Sequence, residues 1–129
     1  MEEDLIDEGN SRLDALKHQI EKRRWREELR GVEHLGIRWY AGSAGRQAVM
    51  ESLQYAATVE AQGGMFATDW KGENGQWALG VTKTDLETVA GLLGQRRQQC
   101  FARERELVDM AETDPDNFDE QIIGTGWPG

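Results

Sequence analysis

The chain has a single cysteine, Cys100, in 129 residues, so no internal disulfide can form and the fold does not depend on oxidation. No apolar run approaches the length needed to span a bilayer. The opening Met1-Glu2-Glu3-Asp4-Leu5 has neither a basic n-region nor an apolar h-region, so no signal peptide is expected and synthesis in the cytoplasm is. Positive charge is in the minority: 15 Lys and Arg face 24 Asp and Glu, for a net charge of -9 and a pI of about 4.7. That balance argues against bulk binding to nucleic acid or an anionic membrane, whose phosphates need cationic partners. Hydrophobic residues make up 38%, so the core is modest and much helix surface is expected in water. No internal repeat, P-loop, dinucleotide fingerprint or GxSxG elbow is present.

Groups that could carry chemistry are scattered. His18 sits on a charged helix and His34 in a loop, without the spacing of a metal pair, and no second cysteine exists for a zinc knuckle. Cys100 falls on the apolar stripe of a helix with no cue for a partnered base, which reads as a structural thiol. Asp114-x-Asp116-x-x-Asp119-Glu120 invites a calcium reading but departs from the EF-hand pattern at Phe118 and lacks the loop glycine. It reads as a solvated acidic turn. No catalytic, metal or cofactor residues are expected, and the chain reads as a non-enzyme.

What is present is a hairpin feeding a long helix. Asn74-Gly75 signals a type I′ turn between strands near 65–70 and 76–82. After it Trp77, Leu79 and Val81 alternate with Gln76, Ala78 and Gly80, so an apolar face is expected on the first set. Thr82-x-x-Asp85 or Thr84-x-x-Glu87 then caps a helix over 83–112. Its stripe runs through Leu86, Val89, Ala90, Leu93, Cys100, Phe101, Leu107, Val108 and Ala111, interrupted by Arg97 and Glu104. Gly91 and Gly94 weaken it by roughly 1 kcal/mol each relative to Ala, and close approach of another backbone is the expected return.

Upstream, Ser11-x-x-Asp14 resembles a capping box for a helix over 12–30 that stops at Gly31. Leu13, Leu16 and Ile20 share one face of it, and Trp25 and Leu29 another. Such a helix either wraps a curved core or leaves the domain to meet a partner. A short strand is expected at 35–41. A second helix, over 44–61, is expected to be capped by Ser43, to bury Val49, Leu53, Ala56 and Ala57, and to end at Gly63-Gly64. The basic cluster Lys22-Arg23-Arg24-Trp25-Arg26 is flanked by Glu21, Glu27 and Glu28. It reads as a helix face that pairs with acidic segments, within the fold or across subunits, rather than a nucleic-acid contact. Of five tryptophans, Trp39, Trp70 and Trp77 are expected in the core, while Trp25 and Trp127 are placed equally well at an interface.

The resulting expectation is an α+β fold: a small antiparallel sheet, made of a hairpin plus one short strand, packs on two or three helices, the last one long. Residues 1–10 read as an acidic tail or docking segment, 11–113 as a single domain, and 114–129 as an acidic turn and docking tail. An exposed Ile122-Ile123 and Trp127 would be costly in water, so this tail is expected to dock on its own domain or on a neighbour. The candidate partner interface is Leu13, Leu16, Ile20, Trp25, Ile122, Ile123 and Trp127.

The order of these parts carries a resemblance. A basic helix ends in Arg23-Arg24-Trp25-Arg26 before Gly31-Val32. Gly36-Ile37, an alanine-rich helix and Trp70…Gly75…Trp77 follow. Then come Gln98-x-Cys100-Phe101-x-Arg103-Glu104-x-Glu106-Leu107 and the closing Gly126-Trp127-Pro128. Over residues 15–128 the chain resembles the bacteriophage and prophage tail-module family known as domain of unknown function 4376. The segment 42–48 departs from the family's more Asp/Ser-rich opening to helix two. The resemblance implies a protein made in the host bacterial cytoplasm and associated with tail fibres or the baseplate. It would act by protein–protein contacts as an adaptor or cap in the virion; a second copy of the chain is a further candidate partner. It carries no catalytic residues with it, and neither nucleic acid nor membrane is expected as a partner. Alternatives are a transient fibre-assembly chaperone absent from the virion and a small acidic inhibitor of a host protein.

Overall fold

A computed structural model describes the backbone from Glu2 to Gly129 and side chains from Ser11 onward. The side chains of the expected acidic docking segment at 1–10 lie outside the described residues. The element order is α1 (Glu2–Leu29), β1 (Val32–His34), β2 (Ile37–Trp39), α2 (Ser43–Ala61), β3 (Ala67–Lys71), β4 (Trp77–Thr82) and α3 (Lys83–Thr113), followed by a 3-10 turn, Glu120–Gly124. The fold is α+β, with three helices, two small antiparallel sheets and a long third helix. The chain forms two compact units. One comprises residues 1–27 and 97–129, the other residues 28–96.

In the central unit, β1 and β2 pair antiparallel with Val32 opposite Trp39 and His34 opposite Ile37. One strand was expected over 35–41; the structure has a second hairpin instead, turning at Leu35-Gly36. Both turn residues have positive φ, 56° and 75°, the pattern of a two-residue type I′ connection. Leu is an unusual residue there, which is why the turn is invisible to pattern reading.

The hairpin of β3 and β4 forms where expected, but with another turn. The Gly75 N–H donates to the Gly72 carbonyl at 3.0 Å and the Gly72 N–H to Gln76 O at 2.7 Å. Gly75 has φ of 79°, and Asn74 is not among the positive-φ residues. This is a three-residue loop with glycine in the left-handed position, not a type I′ turn at Asn74-Gly75.

Register then shifts: Thr68 pairs with Val81 and Trp70 with Ala78, so Leu79 and Gly80 together oppose Asp69. This is a β-bulge, with Gly80 at φ 65°. The extra residue reverses the strand's alternation. Ala78 and Val81 point inward and are buried, whereas Trp77 is 59% and Leu79 75% exposed. The expected apolar face of Trp77, Leu79 and Val81 is therefore corrected, as is the core placement of Trp77.

The core of this unit joins Ile37, Trp39, Ala41, Val49, Ala78, Val81, Leu86, Val89 and Leu93, with Leu53 and Trp70 packed against it. Trp70 stacks on Trp39 with ring centroids 4.9 Å apart. Arg46 ties the layers by donating to Ala41 O at 2.8 Å and Leu93 O at 3.3 Å. Ser43 is the first residue of α2 rather than its cap; Gly42 holds the cap position with no side-chain hydrogen bond. Ala57 faces solvent, not the core. The helix ends as expected, with Gly63 N–H on Glu60 O and Gly64 N–H on Val59 O, both at 3.0 Å, a Schellman closure. Gly91 and Gly94 approach nothing: a Cβ at either would meet open space.

The other unit packs Leu16 and Ile20 of α1 against Leu107 and Ala111 of α3, with Phe118 and Ile123 closing the cluster. The α1 helix already includes Ser11, so the expected capping box at Ser11-x-x-Asp14 does not start it. Glu104, which interrupts the stripe of α3, forms an ion pair with Arg24, and the Arg24 guanidinium lies 4.7 Å over the Phe101 ring. Phe101 itself is nearly half exposed.

Candidate functional site

The seven residues expected at a partner interface fall into two groups. Leu16, Ile20 and Ile123 are core residues of the first unit, and Leu13, Ile122 and Trp127 pack against that core. The first three are thus buried by this chain, and the other three partly so. Only Trp25 is solvent-facing, at 57% exposure, with the Arg24 guanidinium 5.9 Å from its ring. The tail therefore docks on its own chain, one of the two expected outcomes.

Local hydrogen bonds explain that docking. Asp119 caps the 3-10 turn by accepting from the Gln121 N–H at 3.0 Å. Arg12 donates to Pro115 O at 2.7 Å, and Arg103 to Thr125 O at 2.9 Å. The Trp127 indole N–H closes on Ile123 O at 2.6 Å. Asp114 accepts from the Asn117 side chain at 2.9 Å. Asp114 and Asp119 of the acidic turn are engaged in holding the chain's own bends.

The histidines lie apart. His18 is exposed on α1. His34 sits 3.2 Å from Asp85 Oδ1. Asp85 completes the expected capping box, accepting from the Thr82 N–H at 3.0 Å while its own N–H donates to the Thr82 hydroxyl at 3.2 Å. The Thr82 N–H, ahead of the neighbouring His34 and the Thr82 hydroxyl, holds the Asp85 carboxyl below its ordinary value. Cys100 is buried. No group of three or more His, Cys, Asp or Glu is placed to hold a metal ion among the described residues. No helix among them is long and apolar enough to cross a membrane.

Other surfaces stand exposed, and pattern reading missed the first of them. On the central unit, Trp77 and Leu79 stand on the outer face of β4, turned out by the bulge. Between α2 and β3 of the same unit run two depressions. One, of about 370 Å³, is lined by Trp39, Tyr40, Gly45, Ala48 and Trp70 among others. The second, of about 460 Å³, is lined by Tyr55, Val59, Met65 and Phe66 among others. The signal that could have revealed Trp77 and Leu79 is Gly80: a glycine inside a strand pattern marks a bulge.

On the other unit, Gln19, Lys22, Arg23 and Arg26 of α1 line a depression of about 540 Å³ against Glu120, Ile123 and Gly124. Arg23 pairs with Glu27 at 2.9 Å and Glu120 with Arg12 at 3.7 Å. The basic cluster thus pairs in part with acidic groups of its own unit.

The sequence model of a family described as a domain of unknown function, DUF4376, matches residues 12–122. No curated protein matches the chain, and no solved structure does. The chain belongs to the DUF4376 family.

Proposed function

We propose that this DUF4376 chain is a non-enzymatic bacteriophage tail protein that binds tail-fibre or baseplate subunits as an adaptor or cap. The tail assignment rests on the resemblance carried by the α3 string from Gln98 to Leu107 and by Gly126-Trp127-Pro128. The interaction part rests on one observation: the β4 bulge turns Trp77 and Leu79 outward at 59% and 75% exposure. Simple alternation would have placed both with Val81 in the core. Large apolar side chains on one exposed strand face are the raw material of a protein interface, and tryptophan is the residue type most enriched at binding hot spots.

In this reading the contact surface is not at the two termini, whose apolar residues hold the first unit together. It is the outer face of β4, with Trp25 as a further contact. Pull-down of tail-fibre and baseplate subunits by the intact chain tests it. Replacing Trp77 and Leu79 by serine is expected to weaken capture about tenfold or more, the loss of roughly 1.4 kcal/mol or more expected of a hot spot. Undiminished capture would move the interface elsewhere.

A further inference from the structure

We propose that the chain self-associates through antiparallel α1 helices, the cationic groove of one copy taking the acidic segment 2–8 of the other. The groove is the depression of about 540 Å³ lined by Gln19, Lys22, Arg23 and Arg26. These positions recur at i, i+3, i+4 and i+7, so they form one face of the helix. Most charges around it are accounted for. Arg23 holds Glu27 at 2.9 Å, Arg12 holds Glu120 at 3.7 Å, and Arg24 holds Glu104. Lys22 and Arg26 have no ion-pair partner among the described residues. An excess of cations in a groove, on a chain of net charge -9, calls for a carboxylate-rich occupant.

The sequence of α1 supplies one. Glu2, Glu3, Asp4, Asp7 and Glu8 place five carboxylates in its first eight residues. The helix is continuous from Glu2 to Leu29. At 1.5 Å per residue, positions 5 and 23 are about 27 Å apart along its axis. The screening length at physiological salt is about 8 Å, so the two ends of one α1 cannot neutralise each other. A two-fold axis crossing α1 near its midpoint between those positions, at Asp14, resolves this. It sets the acidic end of each copy beside the cationic groove of the other, and the same contact is made twice. Glu21, Glu27 and Glu120 also stand near the groove; the last two are already held by arginines, which leaves Glu21 as the opposing carboxylate. A nucleic-acid strand would use the same cations, but its continuous phosphates would meet the acidic remainder of the chain.

Sedimentation equilibrium of the intact chain tests the pairing. A dimer is expected at about 50 mM NaCl, weakening about tenfold or more at about 500 mM. The Lys22→Glu/Arg26→Glu variant is expected to be monomeric, and so is Glu2→Lys/Glu3→Lys/Asp4→Lys. Both sets change solvent-facing or chain-terminal charges, and circular dichroism checks that each variant is folded. Combining both sets in one chain restores opposite charges across the dyad, and the dimer is expected to return. A monomer under all conditions would overturn the proposal. So would a dimer indifferent to the Lys22/Arg26 reversal, or retention of a single-stranded oligonucleotide without self-association.

Discussion

The Asp69 carboxylate accepts a hydrogen bond from the Gly80 N–H at 3.2 Å, across the β4 bulge. Asp69 is the single residue that faces both Leu79 and Gly80. The bond fixes the point where β4 reverses its faces. The outward placement of Trp77 and Leu79 depends on that reversal.

Gly80 should therefore be a sensitive position of the hairpin despite its exposure. Its φ is 65° and a Cβ there would meet no neighbour, so replacement by alanine adds no clash, only the left-handed conformational cost. Gly80→Ala is expected to destabilise the chain by about 1–2 kcal/mol, read as a lower urea midpoint. An unchanged midpoint would mean that the bulge is not held in that conformation.

Trp77 and Leu79 behave in the opposite way. Because both are mostly in water, serine at both positions is expected to change stability by no more than about 0.5 kcal/mol each. A thermal or urea titration separates this from their effect on partner capture. A large loss of stability would place them in the core after all.

The C-terminal segment is expected to matter for stability first. Ile123 is nearly buried among Leu16, Ile20 and Leu107. Ile123→Ala should cost about 2–5 kcal/mol and lower hydrogen-exchange protection around Leu16 and Ile20 in α1 and in the second half of α3. Protection that survives the substitution would contradict the docking of this segment on its own chain.

Acid should loosen the start of α3. The folded Asp85 carboxyl titrates below its ordinary value of 3.8, so it adds stability above that value and the contribution fades as pH falls through the folded value. Asp85→Ala is expected to be less stable than the parent near neutral pH, and the gap should narrow as pH falls below the ordinary carboxyl value. Urea midpoints of both proteins across that range check it. A gap independent of pH would assign the effect to something other than this carboxylate.

Much of this fold is legible in the sequence. The apolar stripe from Leu86 to Ala111 locates α3, Thr82-x-x-Asp85 locates its start, and Gly63-Gly64 closes α2. What escapes is backbone geometry that side-chain pattern does not encode. Leu35 takes a positive φ that glycine or asparagine usually takes, so the first hairpin reads as one strand. Gly80 inserts a bulge, and one added residue sends Trp77 and Leu79 to the other face. The C-terminal apolar residues are correctly read as needing cover. Whether that cover is their own chain is decided by Arg12, Arg103 and Trp127 reaching backbone carbonyl groups, which no periodicity announces. The pairing of Arg24 with Glu104 is equally silent, since 80 residues separate them in the sequence.

The central claim is that this chain is a built-in component of a phage tail. Quantitative mass spectrometry of density-purified virions of the parent phage tests it most directly. The account predicts the chain in fixed stoichiometry with tail-fibre or baseplate subunits. Its absence from virions, with abundance in the infected lysate, would contradict the structural role and favour a transient assembly chaperone.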